Sequence, residues 1–218
     1  MRPLTSYTHG YLDERDKEID KTEWIDILRA LKAFGASRNE TIVEWGAGRG
    51  HLVKFLRLNG YKKVYGYDLL WSEPDLVFRR DVTLKPHPVG DICISQHFLE
   101  HIDQEKAISL LDACLSKGWL SINIVPGHMT RDETHKVPFY TYSMLEEIAS
   151  RITSAKYYYI YPDTRSFVSP ESMDWILVLS KKPLTRRGKI IIKPLWLRAL
   201  LVIAKALISV EERTGLRL

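Results

Sequence analysis

The stretch that decides the fold runs from Thr41 to Asp68 and reads TIVEWGAGRGHLVKFLRLNGYKKVYGYD. It begins with an apolar run that ends at the acidic Glu44, and glycines then occupy three alternate positions: Gly46, Gly48 and Gly50. Apolar residues follow at helical spacing as far as Gly60. This change from a short apolar run, through glycines, to a helical period predicts a β-strand, a tight turn and an α-helix.

The same stretch predicts a site for a nucleoside-like ligand. Glycines let a backbone approach a ligand closely, and the first turn of a helix offers free N–H groups. A second predicted strand, Val64 to Tyr67, ends at Asp68, where a carboxylate can accept two hydrogen bonds from a ribose diol. A dinucleotide site would need glycine or alanine where this chain has His51, so NAD is the weaker interpretation.

The stretch resembles motif I of the class I S-adenosylmethionine (SAM) dependent methyltransferases, an acidic residue at the end of the first strand followed by G-x-G-x-G. Glu44 and the three glycines match motif I, and Asp68 matches the acid that closes the family's second strand. The resemblance covers about residues 40 to 182. It implies a SAM-dependent methyltransferase that uses S-adenosyl-L-methionine and releases S-adenosyl-L-homocysteine.

The resemblance also implies a fold. The family has an α/β architecture, a doubly wound Rossmann-like sheet of seven strands flanked by helices. The implied strand order is 3-2-1-4-5-7-6, with the last strand antiparallel to its neighbours. Ligands of such open sheets bind outside the carboxyl ends of the strands.

Cofactor-binding residues follow from the resemblance, position by position. Asp81 and Val82 come after a third predicted strand, where family members use a carboxylate and the next N–H for the adenine ring. The alternative interpretation is that Asp81 is an ordinary surface residue that follows two arginines. Gln96 comes after the fourth predicted strand. The implied set is Glu44, Gly46, Ala47, Gly48, Gly50, Asp68, Leu69, Asp81, Val82 and Gln96.

Four histidines are predicted at the same edge of the sheet: His97, His101, His128 and His135. Methyl transfer from a sulfonium depends on alignment and exclusion of water, so the sequence predicts no metal site. An oxygen or nitrogen acceptor can require a general base, and we assign this catalytic role first to His135 and second to His97. Alternatively, these histidines are structural, as a Leu-Glu-His triplet ending at His101 recurs across the family.

No motif identifies the acceptor. The fourth predicted strand leads into Ser95-Gln96-His97-Phe98, which is not the Asn/Asp-Pro-Pro-Tyr/Phe sequence of adenine-N6 and glutamine methyltransferases. A catechol-type set of metal-binding acids is also missing from the sequence. A small-molecule or lipid-linked acceptor, methylated at oxygen, is the remaining default. Two alternatives stay open: a non-catalytic interaction module with the same fold, and an RNA methyltransferase that uses the basic tail.

The sequence divides into three parts. Residues 1–36 form an N-terminal arm and helix, 37–182 the SAM-binding domain, and 183–218 a basic amphipathic tail. Thr22 is the predicted cap of the N-terminal helix. The arm ahead of it either covers the cofactor or packs loosely, and its candidate contact residues are Tyr7, His9 and Tyr11.

Charge is concentrated in the tail. The net charge of the chain is +5, to which residues 181–218 contribute +8 and residues 1–180 contribute −3. Within the tail, Pro194 to Glu212 is a predicted helix whose apolar face is too wide to remain in water. This face can cover its own domain or a second subunit in a homodimer. It can also lie on an anionic membrane surface, and nucleic acid is the less favoured partner of the basic stretch.

Cysteine usage and hydropathy indicate a compartment. Cys93 and Cys114 lack C-x-x-C spacing and are predicted to be small buried hydrophobes. The segment from Met1 to Gly10 lacks the apolar core of a signal peptide, and no stretch has 18 uncharged apolar residues. We therefore expect a cytoplasmic protein, or one bound peripherally to the inner face of the membrane.

Overall fold

The computed structural model of the chain describes residues 21–127, 134–163 and 174–185. The predictions made for the N-terminal arm, for His128 and for the tail helix lie outside these residues. Four α-helices are described: α1 (Lys21–Ala33), α2 (His51–Leu58), α3 (Gln104–Lys117) and α4 (Tyr142–Arg151). The strands are β1 (Thr41–Trp45), β2 (Lys63–Asp68), β3 (Val77–Arg79), β4 (Ile92–Gln96), β5 (Leu120–Pro126), β6 (Tyr157–Pro162) and β7 (Asp174–Ser180).

The described strands form one sheet in the order β3-β2-β1-β4-β5-β7-β6. The first five strands of this order pair in parallel, and β7 is antiparallel to both β5 and β6. The predicted fold class and strand order are therefore confirmed. Parallel strands need crossover connections, and α2 provides the one between β1 and β2 while α3 provides the one between β4 and β5.

Central strands are buried on both faces. Every residue of β5 and of β7 is buried, and β1 is buried from Ile42 to its end. Such continuous burial requires helices on both sides of the sheet. The polar groups inside the sheet have partners: the Ser95 hydroxyl donates to Asn123 Oδ1 (2.9 Å), and Asn123 Nδ2 donates to Ser121 Oγ (3.0 Å).

The N-terminal helix is confirmed, and its apolar face packs inward through Trp24, Ile27 and Leu31. The helix already includes Thr22, so the predicted cap at that residue is wrong. Further along, the spacing of Ser143 and Glu146 predicts a capping box, which is wrong. The cap of α4 is Thr141, whose hydroxyl accepts the N–H of Met144 (3.2 Å). None of the described helices is both long enough and apolar enough to cross a membrane.

The topology brings several chain segments to one edge of the sheet. Strands β1, β2 and β4 run in parallel, and Trp45 is in register with both Tyr67 and Ser95. Their carboxyl ends therefore lie side by side, followed by the glycine turn, by Asp68 and by Gln96 respectively. This edge is where ligands bind in open α/β sheets.

A small residue in β2 is required for the glycine turn to pack on the sheet. A Cβ atom at Gly66 would lie 2.5 Å from the Cβ of Ala47. We expect Gly66→Ala to lower the free energy of unfolding by about 1–3 kcal/mol, the usual cost of overpacking a core. Urea unfolding measures this change.

The double variant Gly66→Ala/Ala47→Gly provides the control, because it removes the atom that the new methyl group would meet. It should regain a measurable part of the lost stability. A double variant that loses the sum of the two single effects would contradict this account of the packing.

Candidate functional site

The turn after β1 is held in shape by three left-handed glycines. Gly46, Gly48 and Gly50 have φ angles of 69°, 50° and 71°, which side chains other than glycine rarely adopt. The N–H groups of Gly46 and Ala47 both donate to the carbonyl of Tyr67, at 2.9 and 3.1 Å. The turn is therefore anchored to the end of β2.

These glycines differ in what surrounds them. A Cβ atom at Gly46 would lie 2.8 Å from the ring of Phe98, and one at Gly50 would lie 2.7 Å from Val77. At Gly48 a Cβ atom would meet nothing within 4 Å. Two of the glycines therefore permit close packing of the protein itself, whereas Gly48 borders open space that a ligand can occupy.

Asp68 connects the end of β2 to this turn. Its Oδ2 accepts the N–H of Gly48 (2.9 Å), and its Oδ1 accepts the N–H groups of Leu70 (2.8 Å) and Trp71 (3.0 Å). A carboxylate oxygen has room for two hydrogen bonds, so Oδ2 keeps one acceptor position. Leu69, between these contacts, is exposed.

Glu44 is a buried carboxylate beneath the turn. It is 4% exposed, and its Oε2 atom has no hydrogen-bond partner among the described residues. Burial, together with the charge of Asp68, raises its pKa to about 8, although a hydrogen bond with the backbone of Val53 lowers it. A buried acidic oxygen of this kind suits a cationic ligand group, which would supply the missing partner.

Asp81 and Val82 lie in a compact turn after β3. The Oδ1 atom of Asp81 accepts both the N–H (2.9 Å) and the hydroxyl (2.7 Å) of Thr83. Val82 is buried, and its carbonyl accepts a hydrogen bond from Nδ1 of His87 (2.9 Å). The turn is thus rigidly held, and the adenine-binding role of its two residues stays a prediction.

The residues after β4 meet the N-terminal helix. The ring of Trp24 packs on Phe55, with centroids 5.5 Å apart, which places α1 beside α2. Glu23, the residue before Trp24, accepts a hydrogen bond from Nε2 of Gln96. Gln96 is therefore at the edge of the sheet, as predicted, but its described partner is Glu23.

His97 lies among three carboxylates. Its Nε2 is 3.2 Å from Glu23 and 3.6 Å from Asp174, and its Nδ1 is 3.4 Å from Glu100. Burial alone would lower the pKa of His97, but the negative charges of Glu23 and Glu100, together with the hydrogen bond to Glu23, outweigh this effect and raise the pKa well above its usual value. The raised pKa favours the protonated form of His97, which suits a positioning role better than that of a general base.

His97 also has a strained backbone. Its φ angle is 49°, in the left-handed region that residues other than glycine rarely occupy. Its N–H continues the sheet by donating to the carbonyl of Ile124 (3.0 Å). Strain of this kind persists only where the surroundings hold the residue in place, and it clusters at functional sites.

A second group of side chains lies next to His97. A short 3₁₀ turn, Leu99–His101, follows β4, and the rings of His101 and His135 meet edge to face with centroids 4.6 Å apart. Nδ1 of His101 is hydrogen-bonded to the hydroxyl of Thr134 (3.1 Å). Two histidines separated by 34 positions in the sequence are thus brought together, as their shared place at this edge predicts.

Sequence reasoning missed three acids of this site: Glu23, Glu100 and Asp174. All three are buried. Glu23 carried a signal, because it lies four residues before Ile27 and so falls on the buried side of an amphipathic helix. Glu100 lies between two histidine positions, and Asp174 has no signal in the sequence because only the antiparallel pairing of β7 brings it to this edge.

No protein-family model matches the sequence, and no curated protein matches it either. Solved structures do match. A SAM-dependent methyltransferase from Archaeoglobus fulgidus is 17% identical with a TM-score of 0.56, over 80% of this chain and 100% of that one. Magnesium protoporphyrin IX methyltransferase from Synechocystis PCC 6803, with bound SAH, is 15% identical with a TM-score of 0.54, over 74% and 83%.

The small RNA methyltransferase HEN1 is a third similar structure. It is 17% identical with a TM-score of 0.53, and the match covers 85% of this chain and 27% of HEN1. At such identities the likeness concerns the fold, and it agrees with the strand order described above. The chain therefore has the class I, Rossmann-like fold of the SAM-dependent methyltransferases.

Proposed function

We propose that the protein is a SAM-dependent methyltransferase that methylates a hydroxyl oxygen of its acceptor. The observation that carries this proposal is the cleft beside Gly48, where open space adjoins the buried carboxylate of Glu44 and the carboxylate of Asp68. The fold shared with SAM-dependent methyltransferases supports it. When bound, S-adenosylmethionine supplies an electrophilic methyl group on a sulfonium.

The residues present fit this cofactor. Glu44 offers a buried carboxyl group that would ionise next to a cationic group, Gly48 leaves room for the ligand, and Asp68 keeps an acceptor position for a ribose hydroxyl. The roles of Leu69, Asp81, Val82 and Gln96 remain part of the proposal. The contribution of the chain is to align the two reactants and to exclude water, which is what methyl transfer requires.

Of the two histidines assigned as candidate bases, His135 is the one that the geometry favours. His97 is enclosed by Glu23, Glu100 and Asp174, which hold its proton. His135 lies on the loop after β5, next to His101, at the same edge of the sheet. We propose that His135 accepts the acceptor's proton or orients the acceptor, while His97 fixes the surrounding carboxylates.

The binding of cofactor and product can be measured by calorimetry. We expect the full chain to bind SAM and S-adenosylhomocysteine with one site each. Gly48→Val should abolish this binding with little loss of fold, because the side chain would fill the open space and resist the left-handed backbone. Asp68→Ala should weaken binding by about 1–3 kcal/mol.

Asp112→Ala is the matched control for Asp68→Ala. Its Oδ1 also accepts a backbone N–H, from Ser154 (3.0 Å), but it lies on α3 and connects that helix to the segment after α4. Its affinity for SAM should equal that of the wild type. If the wild type binds neither SAM nor its product, the proposed function is wrong; if Asp68→Ala binds normally, the ribose assignment is wrong.

The raised pKa of Glu44 predicts a pH dependence of stability. The folded pKa of about 8 exceeds the ordinary value of 4.5, so the folded state holds a proton that the unfolded state has lost. Stability is therefore fully present below pH ~4.5 and falls by at most ~1.4 kcal/mol per pH unit as the pH rises to ~8. Glu44→Gln should flatten this slope and be the more stable protein at pH 8.

Urea unfolding from pH 5 to pH 8 tests this dependence, with Glu147→Gln on the exposed side of α4 as the control. The same slope in Glu44→Gln as in the wild type would contradict it. The proposed function adds a second readout. A cationic ligand group near Glu44 should displace its proton at pH 7, so the calorimetric enthalpy of SAM binding should vary with the ionisation enthalpy of the buffer.

We infer that the acceptor is a small-molecule or lipid-linked hydroxyl compound. The basic tail supports the lipid-linked form, because anionic headgroups attract such a stretch and a wide apolar face gains from burial in the membrane interface. An RNA acceptor is the second candidate, supported by the likeness to the small RNA methyltransferase HEN1. A non-catalytic module with this fold would bind SAM without turnover of any acceptor.

The tail proposal can be tested with vesicles. We expect the full chain to sediment with anionic liposomes and to release as salt is raised, because salt screens the basic stretch. A truncation should keep Thr185, whose N–H (3.2 Å) and hydroxyl (2.6 Å) both donate to the carbonyl of Ala33. The truncated chain should bind SAM but not vesicles. Unfolding of the truncated chain, with no vesicle binding by the intact one, would assign the tail to the protein core or a subunit interface.

A further inference from the structure

We propose that Glu100, His101 and His135 form a binding site for one divalent transition-metal ion. This inference deepens the proposed function, on which the role of the ion in catalysis rests. The existence of the site does not depend on that function. It rests on the geometry, burial and chemistry of the three side chains.

The three residues can each direct one ligand atom to a common point. One carboxylate oxygen and one ring nitrogen from each histidine all lie within 4.8 Å of one another. Ligands bound at about 2.1 Å around a tetrahedral zinc ion lie about 3.4 Å apart. The ligand atoms therefore need to approach one another by at most about 1.4 Å.

Glu100 supplies the strongest indication. It is 0% exposed, and neither of its carboxylate oxygens has a hydrogen-bond partner among the described residues. Its nearest cationic neighbour is Nδ1 of His97, at an ion-pair distance of 3.4 Å. Buried carboxylates are normally paired, hydrogen-bonded or bound to metal, because desolvation of an uncompensated charge is costly. A metal ion would supply the direct partner that this carboxylate lacks.

The two histidines are held in position by their surroundings. The backbone carbonyl of Glu100 accepts the N–H groups of Lys136 (2.8 Å) and Val137 (3.1 Å), which fixes the segment after His135 against the 3₁₀ turn. The hydrogen bond between His101 Nδ1 and Thr134 leaves Nε2 as the ligand atom of His101. Metal-bound histidines usually have such a partner on their second nitrogen.

The donor set indicates the kind of ion. Two imidazoles and one carboxylate suit zinc, manganese, iron or cobalt, whereas magnesium and calcium prefer oxygen ligands alone. Three protein ligands are typical of catalytic sites, which keep a position open for water or substrate. The site is thus of the catalytic rather than the structural kind.

A neighbouring group, Glu23, His97 and Asp174, also has ligand-like spacing. In that group the ligand atoms pair with one another: Nε2 of His97 lies between Glu23 and Asp174, and Glu23 also accepts a hydrogen bond from Gln96. The cationic donor in that group is His97 itself. We therefore assign the ion to Glu100, His101 and His135, and a supporting role to this second group.

The location of the site suits a role in transfer to oxygen. Phe98, two residues before Glu100, packs against Gly46 of the turn that borders the cleft. Methyl transfer to a hydroxyl forms a C–O bond, breaks the sulfonium C–S bond and leaves its electron pair on sulfur, while the hydroxyl loses its proton to a base or to water. A cation beside the hydroxyl lowers its pKa and so favours loss of that proton. Of the two roles proposed above for His135, a metal ligand performs the second, orienting the acceptor, and the proton then goes to another base or to water.

Metal binding can be measured without any acceptor. The full chain is stripped with a chelator and titrated with Co²⁺, followed by its visible absorption, and with Zn²⁺ in competition. We expect one equivalent of metal to bind. The affinity for the metal should fall by about 100-fold or more in each of three variants, Glu100→Gln, His101→Gln and His135→Gln. This loss exceeds the roughly 10- to 100-fold that is typical when a partner of a ligand, and not the ligand itself, is removed. His51→Gln, on α2, is the matched histidine control and should bind metal as the wild type does.

Each result bears on the inference. A wild type that binds neither ion specifically, or three variants that all bind like the wild type, would overturn it. Thermal unfolding of each variant identifies any that fails to fold, and His135→Gln then carries the test because it changes a loop residue. Metal binding without SAM binding would refute the proposed function and support the metal site. SAM binding without metal binding would support the proposed function and refute the metal site.

Discussion

The convergence of backbone N–H groups on the carboxylate of Asp68 is the interaction on which the cleft depends. Gly48 donates from the turn after β1, and Leu70 and Trp71 donate from the segment after β2. The guanidinium of Arg49 also lies over the ring of Trp71, 4.9 Å from its centroid. The turn after β1 and the segment after β2 are therefore joined by one acid, which fixes Gly48 relative to Leu70 and Trp71.

The same edge concentrates negative charge. Glu23, Glu100 and Asp174 are all buried around His97, which can contribute a single positive charge. A buried carboxylate is normally paired with a cation, protonated or hydrogen-bonded. For Glu100, whose carboxylate oxygens accept no hydrogen bond from the described residues, the proposed metal ion would add to the ion pair with His97. The proposed ion and the proposed methyl transfer thus concern the same edge of the sheet.

The sequence predicted the parts of the fold that depend on the backbone conformation of neighbouring residues. The glycine turn follows from three positions that need left-handed backbone, and the strand order follows from the resemblance that this turn carries. The position of Asp68 at the end of β2 is confirmed. Caps were less predictable, because Thr141 and Ser143 both suit an N-cap and neighbouring geometry selects Thr141.

The acid cluster could not be predicted in the same way. Glu23 and Asp174 come from opposite ends of the described chain and meet only through tertiary packing. Similarly, Asp103 has the residue type of a helix cap, yet its carboxylate pairs with Lys136 (2.9 Å) instead. Side chains that pair over long sequence distances leave no periodic pattern. The sequence therefore predicted the part of the candidate site at the glycine turn, whereas the acid cluster is visible only in the folded structure.

The antiparallel insertion of β7 has a consequence for how the protein is made. Strand β7 lies between β5 and β6, so β6 has no place in the described sheet until Asp174–Ser180 has been synthesised. Until then, the backbone edge of β5 that pairs with β7 stays open on the nascent chain. Long-range strand pairing of this kind is slow and leaves an adhesive edge exposed during folding. A ribosome stalled just before residue 174 should therefore carry a chain that depends on chaperones, whereas one that has released β7 should not.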